Sequence, residues 1–489
     1  MTRRQTLLQA YNFRDLGGFP AKGGVTRFGR VWRTDLLGML PDADIETVKA
    51  AGIGTVIDLR SADELERVPS SFADVPGIDY VNIPLLGDAP LGDALDECVR
   101  TADSFEASLT VLYKTMADRA PRRFAEVFEA LAKGLAKGGV AFYCTAGKDR
   151  TGMIAALLLL ACGVARADVV ANYRTTAAYL RPKIARLTED SPLRPRSLMR
   201  SDPGTIEAFL DYLDEKYGGA LNFLKSAGLA PEALTALREE LVEPYDGEGR
   251  TVTPMRRLPL KSVYNFRDLG GYPAKGGQTR YRKLWRSDFL GLLPPEDIEA
   301  IRAAGVATVI DLRSPDELAR VKSDFADMAG VDYVNAPLLT MQLKKEFIPG
   351  DCYEESEREL FYVTMPARAK DNIAAAVTAV TKALERGGVV FFCAAGKDRT
   401  GVLAALLLAA CGVGTSDIAA DYEVSATLLG PKCAALPEGS PLIPKHPYQS
   451  LAETMEDFLA RIGDVRAYLL EAGVAGKTLD DLIRLLVVP

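Results

Sequence analysis

The stretch Val140–Gly152, VAFYCTAGKDRTG, decides how this chain reads, and it recurs at Val389–Gly401 as VVFFCAAGKDRTG. Each copy opens with a short apolar run suited to a buried strand and passes through small residues into an apolar helix. A strand that ends in cysteine, a loop whose backbone N–H groups turn inward, and a helix whose positive end faces the same spot together form an anion site. A phosphate dianion there meets backbone donors, the helix dipole and a bidentate guanidinium. The same field favours thiolate over thiol: cysteines at helix N-termini beside cations fall in pKa from about 8.5 to roughly 3.5–7.5. A nucleotide-binding loop is excluded, because that motif needs Ser or Thr after the lysine and here Asp149 and Asp398 follow it. Cys162 and Cys411, inside the apolar helices, read instead as inert core residues.

Working outward, the whole chain is a duplication. YNFRDLGGFPAKGGVTR at Tyr11–Arg27 returns as YNFRDLGGYPAKGGQTR at Tyr264–Arg280, and TVIDLRSADEL at Thr55–Leu65 returns as TVIDLRSPDEL at Thr308–Leu318. The offset of 253 residues falls to 249 by Thr115, so the second copy is four residues shorter between Leu85 and that point. A period of this size is domain duplication rather than a solenoid. The expected division is domain 1 over 1–245, a linker over 246–262 where Gly, Pro and charge replace apolar periodicity, and domain 2 over 263–489. Within a copy, strand-like runs (TVIDLR, YVNIPL, VAFYC) alternate with helix-like ones (PDADIETVKAAG, PRRFAEVFEALAKGLAKGG). That alternation predicts an α/β fold with a mainly parallel central sheet flanked by helices, and ligands bind at the carboxyl ends of such strands. The FRDLGG and AKGG stretches read as turns that support the loop, and Trp32 and Trp285 as packing residues.

Composition narrows the field further. The 489 residues are 48% apolar and 26% charged, with a net charge of -7, which speaks against a nucleic-acid partner. The longest apolar runs, Met153–Val164 and Val402–Val413, have 12 residues each, too short for a membrane span of about 20. The seven cysteines are odd in number and widely spaced, without a C-x-x-C pair, so a reducing, cytoplasmic setting is expected. The single histidine, His446, reads as a surface residue, and one histidine cannot build two His-based metal centres, Ser-His-Asp triads or Cys-His pairs.

With NFRDLGG, DLRS and C-x-A-G-K-D-R-T-G in order in both halves, the chain resembles the protein-tyrosine-phosphatase superfamily, in particular its bacterial branch acting on tyrosine, serine and lipid phosphates. The resemblance covers about 230 residues of each copy. It implies that Cys144 and Cys393 attack phosphorus and form phosphocysteine intermediates, and that Arg150 and Arg399 clamp the phosphoryl oxygens. It implies a hydroxyl that hydrogen-bonds sulfur at Thr151 and Thr400, and general acid/base work by Asp149 and Asp398. Upstream acids do not align, since Asp118 falls opposite Ala367. Substrate contact falls to Thr145, Ala146, Gly147, Lys148 and Gly152, and to Ala394, Ala395, Gly396, Lys397 and Gly401, with each lysine adding charge at the rim. Asp58 with Arg60, and Asp311 with Arg313, read either as substrate-binding or as pairs that brace the loop. One departure stands out: relatives usually carry His before the cysteine, and here Tyr143 and Phe392 occupy that position.

The expected activity is phosphomonoester hydrolysis on phosphotyrosine or phosphoserine proteins, with dual specificity within the resemblance and no metal or organic cofactor. A phosphoinositide or inositol-phosphate phosphatase is the alternative. A phosphate-recognition scaffold without turnover is the reading from another class, motivated by the missing histidine. Phosphate or sulfate is expected to occupy either loop.

Overall fold

The computed structural model describes every residue except 1–3, 6, 87–104, 191–200, 246–253, 255, 259, 341, 342, 344–354 and 435–451. His446, Cys98 and Cys352 lie outside the described residues, as does the side chain of Cys433 and much of the region where the copies differ in length. Two compact units emerge, in the main Arg3–Asp246 and Pro254–Pro489. Leu258, in the stretch read as linker, is buried in the second unit's core, and the Arg256 guanidinium donates to the Asp268 carbonyl at 3.1 Å. The second unit therefore begins before residue 263, because an apolar side chain there finds core to pack on.

Each unit is built on a five-stranded sheet. In the first, the spatial order is Arg14–Asp15, Val31–Thr34, Gly139–Tyr143, Ile53–Asp58, Asp79–Asn82; only the first of these pairs antiparallel. The second unit repeats the order with Arg267–Asp268, Leu284–Ser287, Gly388–Phe392, Val306–Asp311 and Asp332–Asn335. The central strand GVAFY is buried throughout, as expected of a parallel strand covered on both faces. Its side chains alternate: Val140 and Phe142 join the larger core beneath the helices Pro121–Leu135 and Asp149–Ala161, while Ala141 and Tyr143 face the other core with Trp32 and Phe13. Trp32 stacks on Phe13 at 5.0 Å, and both tryptophans are buried, as packing residues are. A small antiparallel sheet pairs Gly24–Thr26 with Pro20–Ala21 and with Val242–Glu243, so the AKGG turn ties the unit's beginning to its end.

The register places the site. Thr34, Tyr143 and Asp58 lie side by side, with Asn82 next along, at the carboxyl edge of the sheet. The loop that begins at Cys144 leaves from the middle of that edge. Among the described residues no helix is long and apolar enough to cross a membrane.

Candidate active site

The loop conformation depends on one glycine. Gly147 has φ +62°, and a Cβ there would sit 2.2 Å from the Thr34 carbonyl oxygen; Gly396, at φ +64°, meets Ser287 in the same way. The Gly147 carbonyl is held toward the protein by Asn12 Nδ2 at 3.0 Å and Arg33 Nη2 at 2.8 Å. Asn265 and Arg286 hold the Gly396 carbonyl at 2.9 and 2.8 Å. With the carbonyl turned inward, the neighbouring N–H groups turn outward. Among the described residues, no acceptor within the chain takes the backbone N–H of Thr145, Ala146, Gly147 or Asp149, or of Ala394, Ala395, Gly396 or Asp398. Backbone donors left unpaired at a helix N-terminus are the makings of an oxyanion cradle. The FRDLGG stretch braces it from below: Asp15 accepts from the Gly17 and Gly29 N–H groups at 2.7 and 2.5 Å, and Arg14 donates to Asn12 Oδ1.

The cysteine and the arginine meet at this cradle. Cys144 is buried at the loop's start, and its sulfur lies within electrostatic reach of both Arg150 and Arg33. Arg150 points its fork at Glu64: Nη1 to Oε2 at 2.6 Å and Nη2 to Oε1 at 2.8 Å. Arg399 repeats this with Glu317 at 2.6 and 2.9 Å. Burial alone would raise the Glu64 carboxyl, but its hydrogen bonds and charge pairing with Arg150 bring it down to about 2, and Glu317 behaves alike. These two glutamates are the residues that sequence reasoning missed. The signal was present: each sits four residues after the arginine of DLRS in both copies. Each closes a capping box with Ser61 or Ser314, so one carboxylate both starts a helix and holds the clamp.

Asp149 and Asp398 are held by tyrosines that the sequence also did not reveal. The Tyr113 hydroxyl donates to Asp149 Oδ1 at 2.7 Å and lies 2.8 Å from the Tyr173 hydroxyl. In the second copy Tyr362 and Tyr422 donate to Asp398 Oδ1 at 2.8 and 3.1 Å. In each case Oδ1 is anchored and Oδ2 has no hydrogen-bond partner among the described residues, although the Asp149 side chain stays 26% exposed. The upstream Asp118 is occupied elsewhere, by the Tyr212 hydroxyl at 2.6 Å and by Lys216 at 2.7 Å.

Two expectations, for the lysines and the threonine hydroxyls, differ from the structure, and the Asp–Arg pairs take one of their two readings. Lys148 and Lys397 do not stand on an open rim. Both are buried, and Lys148 Nζ lies 3.5 Å from Asp149 Oδ1, because the turn into the helix carries the lysine inward. Arg60 is a brace rather than a free contact: it pairs with Asp58 at 2.7 Å and donates to the Val68 carbonyl at 2.8 Å, both members being buried. Arg313 does the same with Asp311 and Val321. The Thr151 and Thr400 hydroxyls are buried and have no hydrogen-bond partner among the described residues, so the expected bond to sulfur is not formed here. The residue replacing histidine faces the brace, not the sulfur. The guanidinium of Arg60 lies 5.3 Å from the Tyr143 ring and that of Arg313 5.4 Å from the Phe392 ring; Tyr143 adds a hydroxyl that donates to Asp58 Oδ2 at 2.5 Å, and Arg313 also lies 4.3 Å from the Phe289 ring. The two helix cysteines suit the inert reading, burial pushing both Cys162 and Cys411 up to about 12. Among the described residues no group of His, Cys, Asp and Glu is placed to hold a metal ion.

The profile of the tyrosine phosphatase family matches the chain twice, over residues 6–243 and 258–488. The chain belongs to the tyrosine phosphatase family. It is a protein-tyrosine-phosphatase-like hydrolase in tandem, with one site geometry in each copy. A tyrosine-protein phosphatase of Nostoc commune is 36% identical over 220 residues, covering 43% of this chain and 73% of that protein. A putative tyrosine-protein phosphatase of Cupriavidus necator is 32% identical over 227 residues, 44% of this chain and 81% of the relative. The triple specificity protein phosphatase PtpB of Mycobacterium tuberculosis is 29% identical over 275 residues, 48% of this chain and 97% of the relative. Among solved structures, TpbA of P. aeruginosa overlaps 40% of this chain and 90% of its own at 14% identity and a TM-score of 0.24, too slight an overlap to bear on the reading.

Proposed function

We propose that each copy hydrolyses phosphomonoesters of phosphotyrosine and phosphoserine proteins through a phosphocysteine intermediate. The observation that carries this is the coincidence, twice in one chain, of a cysteine, unpaired backbone N–H groups and a buried arginine at one helix N-terminus. In the first step the thiolate sulfur of Cys144 or Cys393 attacks phosphorus, the bond to the leaving oxygen breaks, and Asp149 or Asp398 gives that oxygen its proton. In the second, the same carboxylate takes a proton from water, whose oxygen attacks phosphorus. The S–P bond breaks and inorganic phosphate leaves. Arg150 or Arg399 and the cradle carry the charge on the equatorial oxygens throughout, with Glu64 or Glu317 aiming the guanidinium. Thr151 and Thr400, which hold the position of the family's sulfur-bonding hydroxyl, are assigned the easing of sulfur's departure.

The relatives named as tyrosine-protein phosphatases support the phosphoprotein reading, and the name of PtpB supports a site tolerant of more than one phosphorylated residue. The burial of Lys148 and Lys397 weighs against a charge on the open rim for extra phosphates, and phosphoinositides or inositol phosphates stay the second choice. Domains over 1–245 and 263–489 remain the proposed functional division, with the first residues of the second unit added to it.

The test measures phosphate release from a phosphotyrosine peptide by the full chain, by Cys144→Ser, by Cys393→Ser and by the double variant. Each single variant is expected to lose part of the activity and the double variant all of it. Turnover surviving in the double variant would overturn the mechanism. A wild type that binds the peptide without turnover would establish the scaffold instead.

A further inference from the structure

The two loops rest on floors of different charge. In the first copy Arg33 is wholly buried under the loop; Nη2 donates to the Gly147 carbonyl and Nη1 to the amide oxygen of Asn172, both at 2.8 Å. In the second, Arg286 makes the same bond to the Gly396 carbonyl, but its Nη1 donates to a carboxylate, Asp421 Oδ2, at 2.6 Å. Asp421 also accepts from Arg267 Nε at 2.9 Å and from the Tyr272 hydroxyl at 3.1 Å, where the first copy has Phe19. Burial alone would raise the Asp421 carboxyl, but the two guanidiniums hold it well below the usual range, so it is a full anion. Arg33 has no carboxylate of its own among the described residues. Burial brings it down to about 10, which leaves it a cation at neutral pH, with Cys144 among the groups it faces.

The other charged groups around the loops match in kind. Arg150 with Glu64 corresponds to Arg399 with Glu317, Asp149 beside Lys148 to Asp398 beside Lys397, and Asp35 with Lys183 to Asp288 with Lys432. The helices bearing position 172/421 differ in the same sense as that position: Arg174 stands where Glu423 does, and Arg181 where Gly430 does. Helix Arg166–Asp190 carries a net +2 from five cations and three carboxylates, whereas Thr415–Ala434 carries a net -2 from one and three.

We propose that position 172/421 sets unequal oxyanion affinity in the two loops, Asn172 making the first copy the tighter phosphate site. This rests on the reading of the loops as phosphate sites. Residue 172 is a positioning residue: it touches the arginine and not the ligand. An uncompensated buried cation attracts an incoming dianion, while in the second copy that attraction is already spent on Asp421.

One sample reads both sites. The wild-type chain is treated with iodoacetamide over a series of inorganic phosphate concentrations, and alkylation of Cys144 and Cys393 is followed separately by peptide mass spectrometry. The expected half-protecting phosphate concentration is about tenfold lower at Cys144 than at Cys393, as one unit charge in a partly buried site would give. Asn172→Asp should raise the Cys144 value toward that of Cys393, and Asp421→Asn should lower the Cys393 value, each leaving the other cysteine unchanged. Equal protection in wild type, or a ratio that neither substitution moves, would overturn the proposal while leaving the loops as phosphate sites. Protection of neither cysteine would overturn those sites and this inference with them.

Discussion

In the first copy the strand before Cys144 ends in Tyr143, which reaches Asp58, and the loop lies over Arg33 with a neutral Asn172. In the second it ends in Phe392, stacked under Arg313, and the loop lies over Arg286 with an anionic Asp421. The loops Cys144–Gly152 and Cys393–Gly401 differ in sequence at one position, Thr145, which donates to Glu64 at 2.5 Å where Ala394 cannot. Duplication thus preserved the loop and its arginine and let the supporting layer drift. Backbone donors, a cysteine and a fork-shaped cation have few substitutes, whereas a brace tolerates change: the ring beside the guanidinium carries a hydroxyl to Asp58 in one copy and none in the other.

The largest expected effect comes from the clamp. Arg150→Lys in a Cys393→Ser chain, and Arg399→Lys in a Cys144→Ser chain, should each lower phosphotyrosine-peptide turnover about 10²–10³-fold, because a lysine offers a point charge and no bidentate fork. A loss confined to one copy would break the equivalence of the two sites.

Next comes the carboxylate behind the clamp. Glu64→Gln or Glu317→Gln leaves a buried guanidinium without its counter-charge, at a cost of about 3 kcal/mol to the copy concerned. Trp32 and Trp285, one in each copy, let urea unfolding be read copy by copy after Trp→Phe in the other. The cost should be larger in the first copy, where the Thr145 hydroxyl exchanges a charged acceptor for a neutral amide oxygen. The sign with pH follows from the depressed carboxyl. With a folded pKa of about 2, the pair's contribution is present above the unfolded value of about 4.3 and is lost as pH falls toward 2. The gap between wild type and Glu64→Gln should therefore close across that window. A gap independent of pH would refute the pairing as its origin.

The smallest effect sharpens the contrast at the missing histidine. Tyr143→Phe should cost about 1 kcal/mol or less in the first copy's unfolding, since Asp58 keeps Arg60 and the Tyr80 hydroxyl at 3.0 Å. Turnover should change little, because the Tyr143 hydroxyl serves the brace. A large fall in kcat with unchanged stability would place Tyr143 in the chemistry.

The sequence by itself determined the duplication, the parallel α/β sheet, and the strand–loop–helix that joins cysteine to arginine. All of these rest on local order: strand and helix runs are read along the chain, and five residues between cysteine and arginine bring the two together. It placed Gly147 and Gly396 in the loop as substrate contacts, without showing that the Thr34 and Ser287 carbonyls leave no room for a side chain there. What only the tertiary structure decided are the partners brought from afar. Glu64 comes 86 residues before Arg150, Tyr113 comes 36 before Asp149, and Asn172 lies 139 beyond Arg33. No pattern along the chain marks such pairs, because their spacing is set by how helices cross the sheet. The burial of Lys148 and the idle hydroxyl of Thr151 belong to the same class. Whether a side chain faces a ligand, a brace or the core depends on what the fold packs against it.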